Sequence, residues 1–101
     1  HAEVLVDSLD QNSERLRCVL QALADVQGSC HGDELRSWNA YRRRDFDRVP
    51  LRDVVAEFGL GYHETASRIT RMRAKVKGRI VELCKGRGLL PPEDSTADGH
   101  G

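Results

Sequence analysis

The residues with the clearest chemical purpose lie between positions 62 and 79, where the sequence is strongly basic. Six Lys or Arg residues stand in this stretch against a single acid, Glu64. A solvated helix usually mixes the two signs of charge, because opposite charges three or four residues apart attract each other. An excess of basic residues along one helix is instead typical of a surface that binds nucleic acid. The pattern favours DNA binding over an ordinary solvated helix.

Helical geometry, at about 100° per residue, divides this stretch into an inner and an outer face. The stripe Thr65, Ile69, Met72 and Val76 is expected to face the core. The outer face then carries His63, Ser67, Thr70, Arg71 and Ala74, with Glu64, Arg68 and Lys75 on one shoulder and Arg73 and Lys77 on the other. An α-helix fits the major groove, where side chains read base edges, while basic side chains neutralise phosphates. The predicted DNA-binding residues are His63, Glu64, Ser67, Arg68, Arg71, Lys75 and, at the start of the preceding helix, Arg52.

Catalytic and metal-binding patterns find little support in the sequence. Cys30 and His31 are adjacent, and such neighbours do not easily form the hydrogen-bonded nucleophile–base pair of thiol catalysis. Cys18, Cys30, His31 and Cys84 lack the paired spacing of zinc ligands. The glycines at 86 and 88 follow a predicted helix, whereas a phosphate-binding loop follows a strand. We therefore expect no enzymatic activity, no metal and no cofactor.

Length and composition indicate one small domain without a membrane span. The chain has 101 residues, of which 39% are hydrophobic and 32% are charged. No apolar run approaches the roughly 18 residues of a membrane span, and no secretory leader is apparent. Three cysteines without a CxxC pair favour a reducing compartment over a disulfide framework. These features predict a cytoplasmic protein.

The neutral net charge hides a strong division along the chain. Residues 1–40 carry seven acids and three bases, residues 41–90 carry thirteen bases and six acids, and residues 91–101 carry three acids. Such asymmetry is typical of a basic working surface on an otherwise acidic molecule.

The apolar spacing predicts an all-α fold, a small bundle of four to five helices. In the first helix, residues 13–26, Leu16, Val19, Leu20, Leu23 and Val26 share a face, and Ser13 is a candidate N-cap. Residues 3–9 either extend this helix or form a short separate helix or strand. Asp33 is expected to cap the second helix, in which Leu35, Trp38 and Tyr41 share a face.

The third helix is expected over 51–58, after Pro50, with Gly59 ending it in a left-handed conformation. A slim residue at Val55 would let the fourth helix, from about Tyr62 to about Lys85, approach closely. The predicted organisation is an acidic helical segment and loop at 1–32, a helix-turn-helix domain at 33–90 and a disordered tail at 91–101.

Residues 53–60 (DVVAEFGL) and 67–76 (SRITRMRAKV) carry a family resemblance. They resemble the C-terminal promoter-reading region of bacterial RNA polymerase sigma factors of the extracytoplasmic-function type. The resemblance covers about residues 35–85, and its most specific part is the Ser-Arg core that begins at Ser67. Three residues depart from the family pattern: Val55 replaces an alanine, Gly61 a serine and Ala66 a lysine. The family's promoter-melting region has no counterpart in this chain.

The resemblance implies that the fourth helix enters the major groove of the upstream promoter element and that flanking helices dock on the RNA polymerase core. The acidic first helix and the Trp38/Tyr41 surface are then candidates for contact with the polymerase or with a regulatory protein such as an anti-sigma factor. The alternative is a protein-interaction module that kept the helix-turn-helix shape but binds a protein. The neutral net charge, Ala66 and the acidic Glu64 favour this alternative.

Overall fold

A computed structural model describes residues 2–89, with side chains from residue 12 onward. Four helices follow one another in this range: α1 (Ala2–Ser29), α2 (Asp33–Asp45), α3 (Leu51–Phe58) and α4 (Tyr62–Gly86). The prediction of a small all-α bundle is confirmed, since the described residues contain helices and no strands. None of these four helices is long and apolar enough to cross a membrane. The predicted tail at 91–101 lies outside the described residues.

The first helix is a single continuous element that buries only part of the predicted face, because Val26 is buried and Leu23 packs against the core but Leu16 and Leu20 do not. Ser13 lies inside α1 and is therefore not its N-cap. The buried side chains are Cys18, Ala22 and Val26, spaced four residues apart. Leu16 and Leu20, which were expected on the inner face, are each 57% exposed. α1 packs along α4, and because the distance between packed helices depends on the side chains at the contact, small residues allow a close approach.

The second helix begins with a glycine cap, so the prediction that Asp33 is the N-cap is wrong. Gly32 occupies that position with a φ of 58°, which a glycine adopts without strain, and no side chain caps the helix. Asp33 is the first helical residue, and its carboxylate pairs with α4 instead. Trp38 and Tyr41 are buried, as are Ser37 and Ala40, but Leu35 is 41% exposed and lies off this buried face.

The turn between α3 and α4 follows the glycine signals of the sequence. α3 begins after Pro50 and ends at Gly59, whose φ of 66° is left-handed, as predicted. α4 then runs from Tyr62. Val54 is the fully buried residue of α3, whereas Val55, the predicted contact residue, is only partly buried.

A hydrophobic core joins the four helices, and α4 contacts each of the other three. Ile69, Met72 and Val76 supply its side of the core, as the apolar ladder predicts. The main contributions from the other helices are Val26, Trp38, Ala40, Tyr41 and Val54. One face of α4 is therefore occupied by packing, which leaves the opposite face to solvent.

Candidate nucleic-acid interface

The side of α4 opposite the core is open to solvent over its first three turns. We call its exposed residues the outward face: His63, Ser67, Thr70, Arg71 and Ala74. They lie opposite Thr65, Ile69 and Met72, which are at most 3% exposed. Apolar residues spaced by three and four form one stripe on a helix, and the polar residues between them are consequently turned outward.

The neighbouring helices hold this part of α4 in position. α3 packs against α4, and Val54 of α3 and Thr65 of α4 are each 0% exposed. The Arg43 guanidinium of α2 donates to both carboxylate oxygens of Glu57 in α3, each at 2.9 Å. Two parallel hydrogen bonds fix orientation as well as distance. The position of α3, and through it the start of α4, is thus tied to α2.

Arg68 is the most enclosed of the predicted DNA-binding residues. Its guanidinium lies 2.7 Å from carboxylate oxygens of Asp33 and Glu64, and it donates to Ser37 Oγ at 3.0 Å. The side chain is only 13% exposed. The hydrogen bond from Arg68 lowers the pKa of Asp33. The positive charge of Arg68 is therefore already balanced within the molecule.

Lys75 also pairs with α2, but at a site that water reaches. Its Nζ lies 2.5 Å from a carboxylate oxygen of Glu34, and the two side chains are 45% and 41% exposed. The hydrogen bond to Glu34 raises the pKa of Lys75. An open groove of about 370 Å³ separates the first turns of α2 from α4 at this place. The charged side chains that line it are Asp33, Glu34, Glu64, Arg68, Arg71 and Lys75.

Acids from α1 and α2 bind two further cations of α4. Arg73 donates to both carboxylate oxygens of Asp45, at 2.7 and 2.6 Å. Arg79 pairs with Asp25 of α1 at 2.9 Å. Hydrogen bonds from Gln21 and Arg79 lower the pKa of Asp25. Among the residues that the structure describes, the cations of α4 that pair with acids from other helices include Arg68, Arg73, Lys75 and Arg79.

Arg71 is the cation of the outward face. Its Nε donates to the Ser67 carbonyl at 3.4 Å, and within residues 12–89 no carboxylate pairs with it. His63 is exposed beside Tyr62, with the ring centroids 5.7 Å apart. Arg52 is exposed in the first turn of α3. Arg71 and Arg52 are therefore the predicted arginines whose charge no carboxylate of residues 12–89 balances, and of these two Arg71 lies on the outward face.

No protein-family model, curated protein or solved structure matches this chain. The charge, exposure and geometry of α4 are therefore the features from which a function can be inferred.

The acidic partners of α4 are the functional neighbours that the sequence reading missed. Asp25, Asp33, Glu34 and Asp45 were not among the predicted site residues, yet each binds a cation of α4. The charge division along the sequence is consistent with these ion pairs, because an acidic segment precedes a basic one in a chain of zero net charge. Part of that division serves to join the helices to one another.

A second surface feature is an apolar groove of about 360 Å³ between α1 and α2. Phe46, which lies in this groove, is 48% exposed. Trp38 and Tyr41 are only 3% and 5% exposed, so the prediction that they form a partner-contact surface is wrong. The Tyr41 ring contacts the Trp38 ring at a tilt and the Phe46 ring edge-on, with centroids 5.5 Å apart in each pair, and Phe46 is the exposed member. The groove is lined by Leu20, Leu23, Gln27, Trp38, Arg42 and Phe46.

Proposed function

We propose that the chain binds double-stranded DNA through the outward face of α4. The observation that carries the proposal is the exposure of this face on a helix whose opposite side is anchored in the core. A helix supported in this way fits the major groove, where side chains of its first turns contact base edges. Arg71 supplies the principal charged contact, and His63, Glu64 and Ser67 lie beside the bases.

Phosphate contacts come from the cations that flank the outward face. Lys75 and Arg73 are 45% and 51% exposed although each is ion-paired, so phosphate oxygens can reach both. Arg52, in the first turn of α3, contacts the DNA backbone, which fixes the register of a protein on the duplex. Arg68 is enclosed between α2 and α4, and its larger role is to hold α4 in place.

The finer form of the proposal is recognition of an upstream promoter element in bacterial transcription initiation. Its support is the resemblance of residues 53–60 and 67–76 to the promoter-reading region of sigma factors. In this form α3, the turn at Gly59 and α4 make a helix-turn-helix, and other helices dock on the RNA polymerase core. The chain then acts in the bacterial cytoplasm as a binding protein and catalyses no reaction.

A binding titration over a salt series tests the proposal. The probe is a pool of short duplexes with a randomised centre, enriched on the immobilised chain and compared with a scrambled duplex. We expect the logarithm of the affinity to fall with the logarithm of the salt concentration, by about 0.9 per phosphate neutralised. Arg71→Ala should weaken binding to the enriched duplex roughly ten- to hundredfold, because one bidentate base contact contributes about 1–3 kcal/mol.

The matched control is Arg17→Ala, which removes an arginine from α1 that is 71% exposed. We expect it to leave binding nearly unchanged, because Arg17 is not part of α3 or α4. Equal binding of enriched and scrambled duplexes without salt dependence would contradict DNA recognition. Loss of binding in both arginine variants alike would contradict the assignment of the outward face.

Binding of a protein partner is the second candidate function. The observation that favours it is the apolar groove, next to which Leu16 and Leu20 are each 57% exposed. Large exposed apolar patches often mark protein interaction sites. The groove residues belong to α1, α2 and the turn after α2, so a partner seated there and DNA on α4 can be bound together or separately. A flat salt response in the titration favours this candidate.

A further inference from the structure

The ion pair between Glu34 and Lys75 joins the first turn of α2 to the side of α4 that flanks the outward face. Within residues 12–89, Glu34 is the carboxylate that contacts Lys75. Arg68 differs, because Asp33 and Glu64 both bind it and its side chain is only 13% exposed. Arg71 also lines this groove, but no carboxylate of residues 12–89 pairs with it. Of the three cations in the groove, Lys75 is therefore the one that a single carboxylate controls.

Solvent exposure makes the Glu34–Lys75 pair easy to exchange. The side chains are 41% and 45% exposed, and an exposed ion pair adds little to stability because water screens it. Phosphate oxygens accept the same charge-assisted hydrogen bonds from an ammonium group as carboxylate oxygens do. A phosphate that approaches α4 from the groove consequently meets Glu34 as a rival for Lys75.

We propose that Glu34 competes with DNA phosphates for Lys75 and thereby limits the affinity of the outward face for a duplex. The inference rests on the DNA binding proposed above. It adds a residue that sets the affinity but lies on α2, a helix that does not enter the major groove of the DNA. Glu34 acts through Lys75 and is a positioning residue. While Glu34 balances the charge of Lys75, that lysine displaces fewer counterions from DNA.

Replacement of the carboxylate by an amide of the same shape, Glu34→Gln, tests the inference. In water, removal of the repulsion between two unit charges roughly 6 Å apart corresponds to about threefold in affinity. We expect Glu34→Gln to bind the enriched duplex about threefold more tightly and to steepen the salt dependence by up to about 0.9. Asp33→Asn should have a smaller effect, since Glu64 still binds Arg68.

Two controls separate this competition from a general change in charge or stability. Glu14→Gln removes another ion-paired acid, 39% exposed on α1 and bonded to Arg87, and it should leave the salt slope unchanged. In a Lys75→Gln background, Glu34→Gln should no longer steepen the slope. Thermal melting of each variant records structural effects, which do not by themselves alter the salt slope.

The outcomes distinguish this inference from the function on which it rests. Preferential duplex binding by the wild-type chain with an unchanged slope in Glu34→Gln overturns the competition alone. The same steepening in the Lys75→Gln background also overturns it, because the effect then does not pass through Lys75. If neither the wild-type chain nor any variant binds a duplex, the DNA-binding proposal fails and the competition fails with it.

Discussion

Thr65 carries a buried hydroxyl group without a hydrogen-bond partner at the start of α4. The residue is 0% exposed, and among the described residues its Oγ1 has no hydrogen-bond partner. Leaving such a group unpaired costs about 1–3 kcal/mol of desolvation. Thr65→Val replaces the hydroxyl by a methyl group of similar size, and valine has one strongly preferred rotamer in helices. We expect the variant to be more stable by about 1–2 kcal/mol.

The expected gain is large enough to measure by two independent methods. In a domain of this size, 1 kcal/mol corresponds to about 4–8 °C in Tm. Thermal melting followed by circular dichroism should therefore show a clear upward shift. Urea denaturation should show a higher midpoint with an unchanged slope, because the surface exposed on unfolding stays the same. The DNA titration should not change, since Thr65 is fully buried and lies opposite the outward face.

Thr70→Val provides the matched control for this prediction. Thr70 lies on the same helix, but its side chain is exposed. Its hydroxyl is therefore hydrated, and its removal relieves no buried polar group. A lower Tm for Thr65→Val, or equal shifts in the two variants, would refute the reasoning.

Two further predictions concern a turn and an ion pair. Gly59→Ala should destabilise the chain by about 1–2 kcal/mol because φ is 66° there, whereas Gly78→Ala within α4 should stabilise it by about 1 kcal/mol. Neither new methyl group meets an atom within 4 Å, so the change in free energy of unfolding measured by urea denaturation reports the backbone conformation alone. Equal changes in the two variants would contradict the role of the left-handed conformation at Gly59. Asp25→Asn should reduce stability at neutral pH. The difference in free energy of unfolding between wild type and variant should shrink as the pH falls through the lowered pKa of Asp25, because the unfolded chain takes up the proton first. A difference that does not depend on pH would contradict a stabilising role for the Asp25 carboxylate.

The elements bounded by proline and glycine were the best predicted from the sequence. α3 starts after Pro50 and ends at Gly59, because these residues restrict or permit backbone conformations locally. The buried face of α1 could not be predicted in the same way. Its apolar residues cover more than one face, and the choice of Cys18 and Ala22 over Leu20 depends on close packing against α4.

In the candidate site, too, the features set within one helix could be predicted from the sequence, whereas those set by packing between helices could not. Exposure of Arg71 follows from the period of the apolar ladder within one helix. The enclosure of Arg68 does not, because Asp33 is 35 residues away in the sequence and meets it only once α2 has packed on α4. The local pattern around Asp33 predicts a helix cap because capping depends on neighbouring residues, whereas an ion pair between helices depends on how the helices pack.

The three buried cysteines can report on local unfolding of this helical bundle. Cys18, Cys30 and Cys84 are buried free thiols, and burial raises the pKa of Cys30 and Cys84. An alkylating reagent requires a thiolate that it can reach. Cys18 lies on α1 and Cys84 on α4, so their modification requires the two helices to separate. The rate of alkylation at these positions thus records how often the first helix lifts from the bundle.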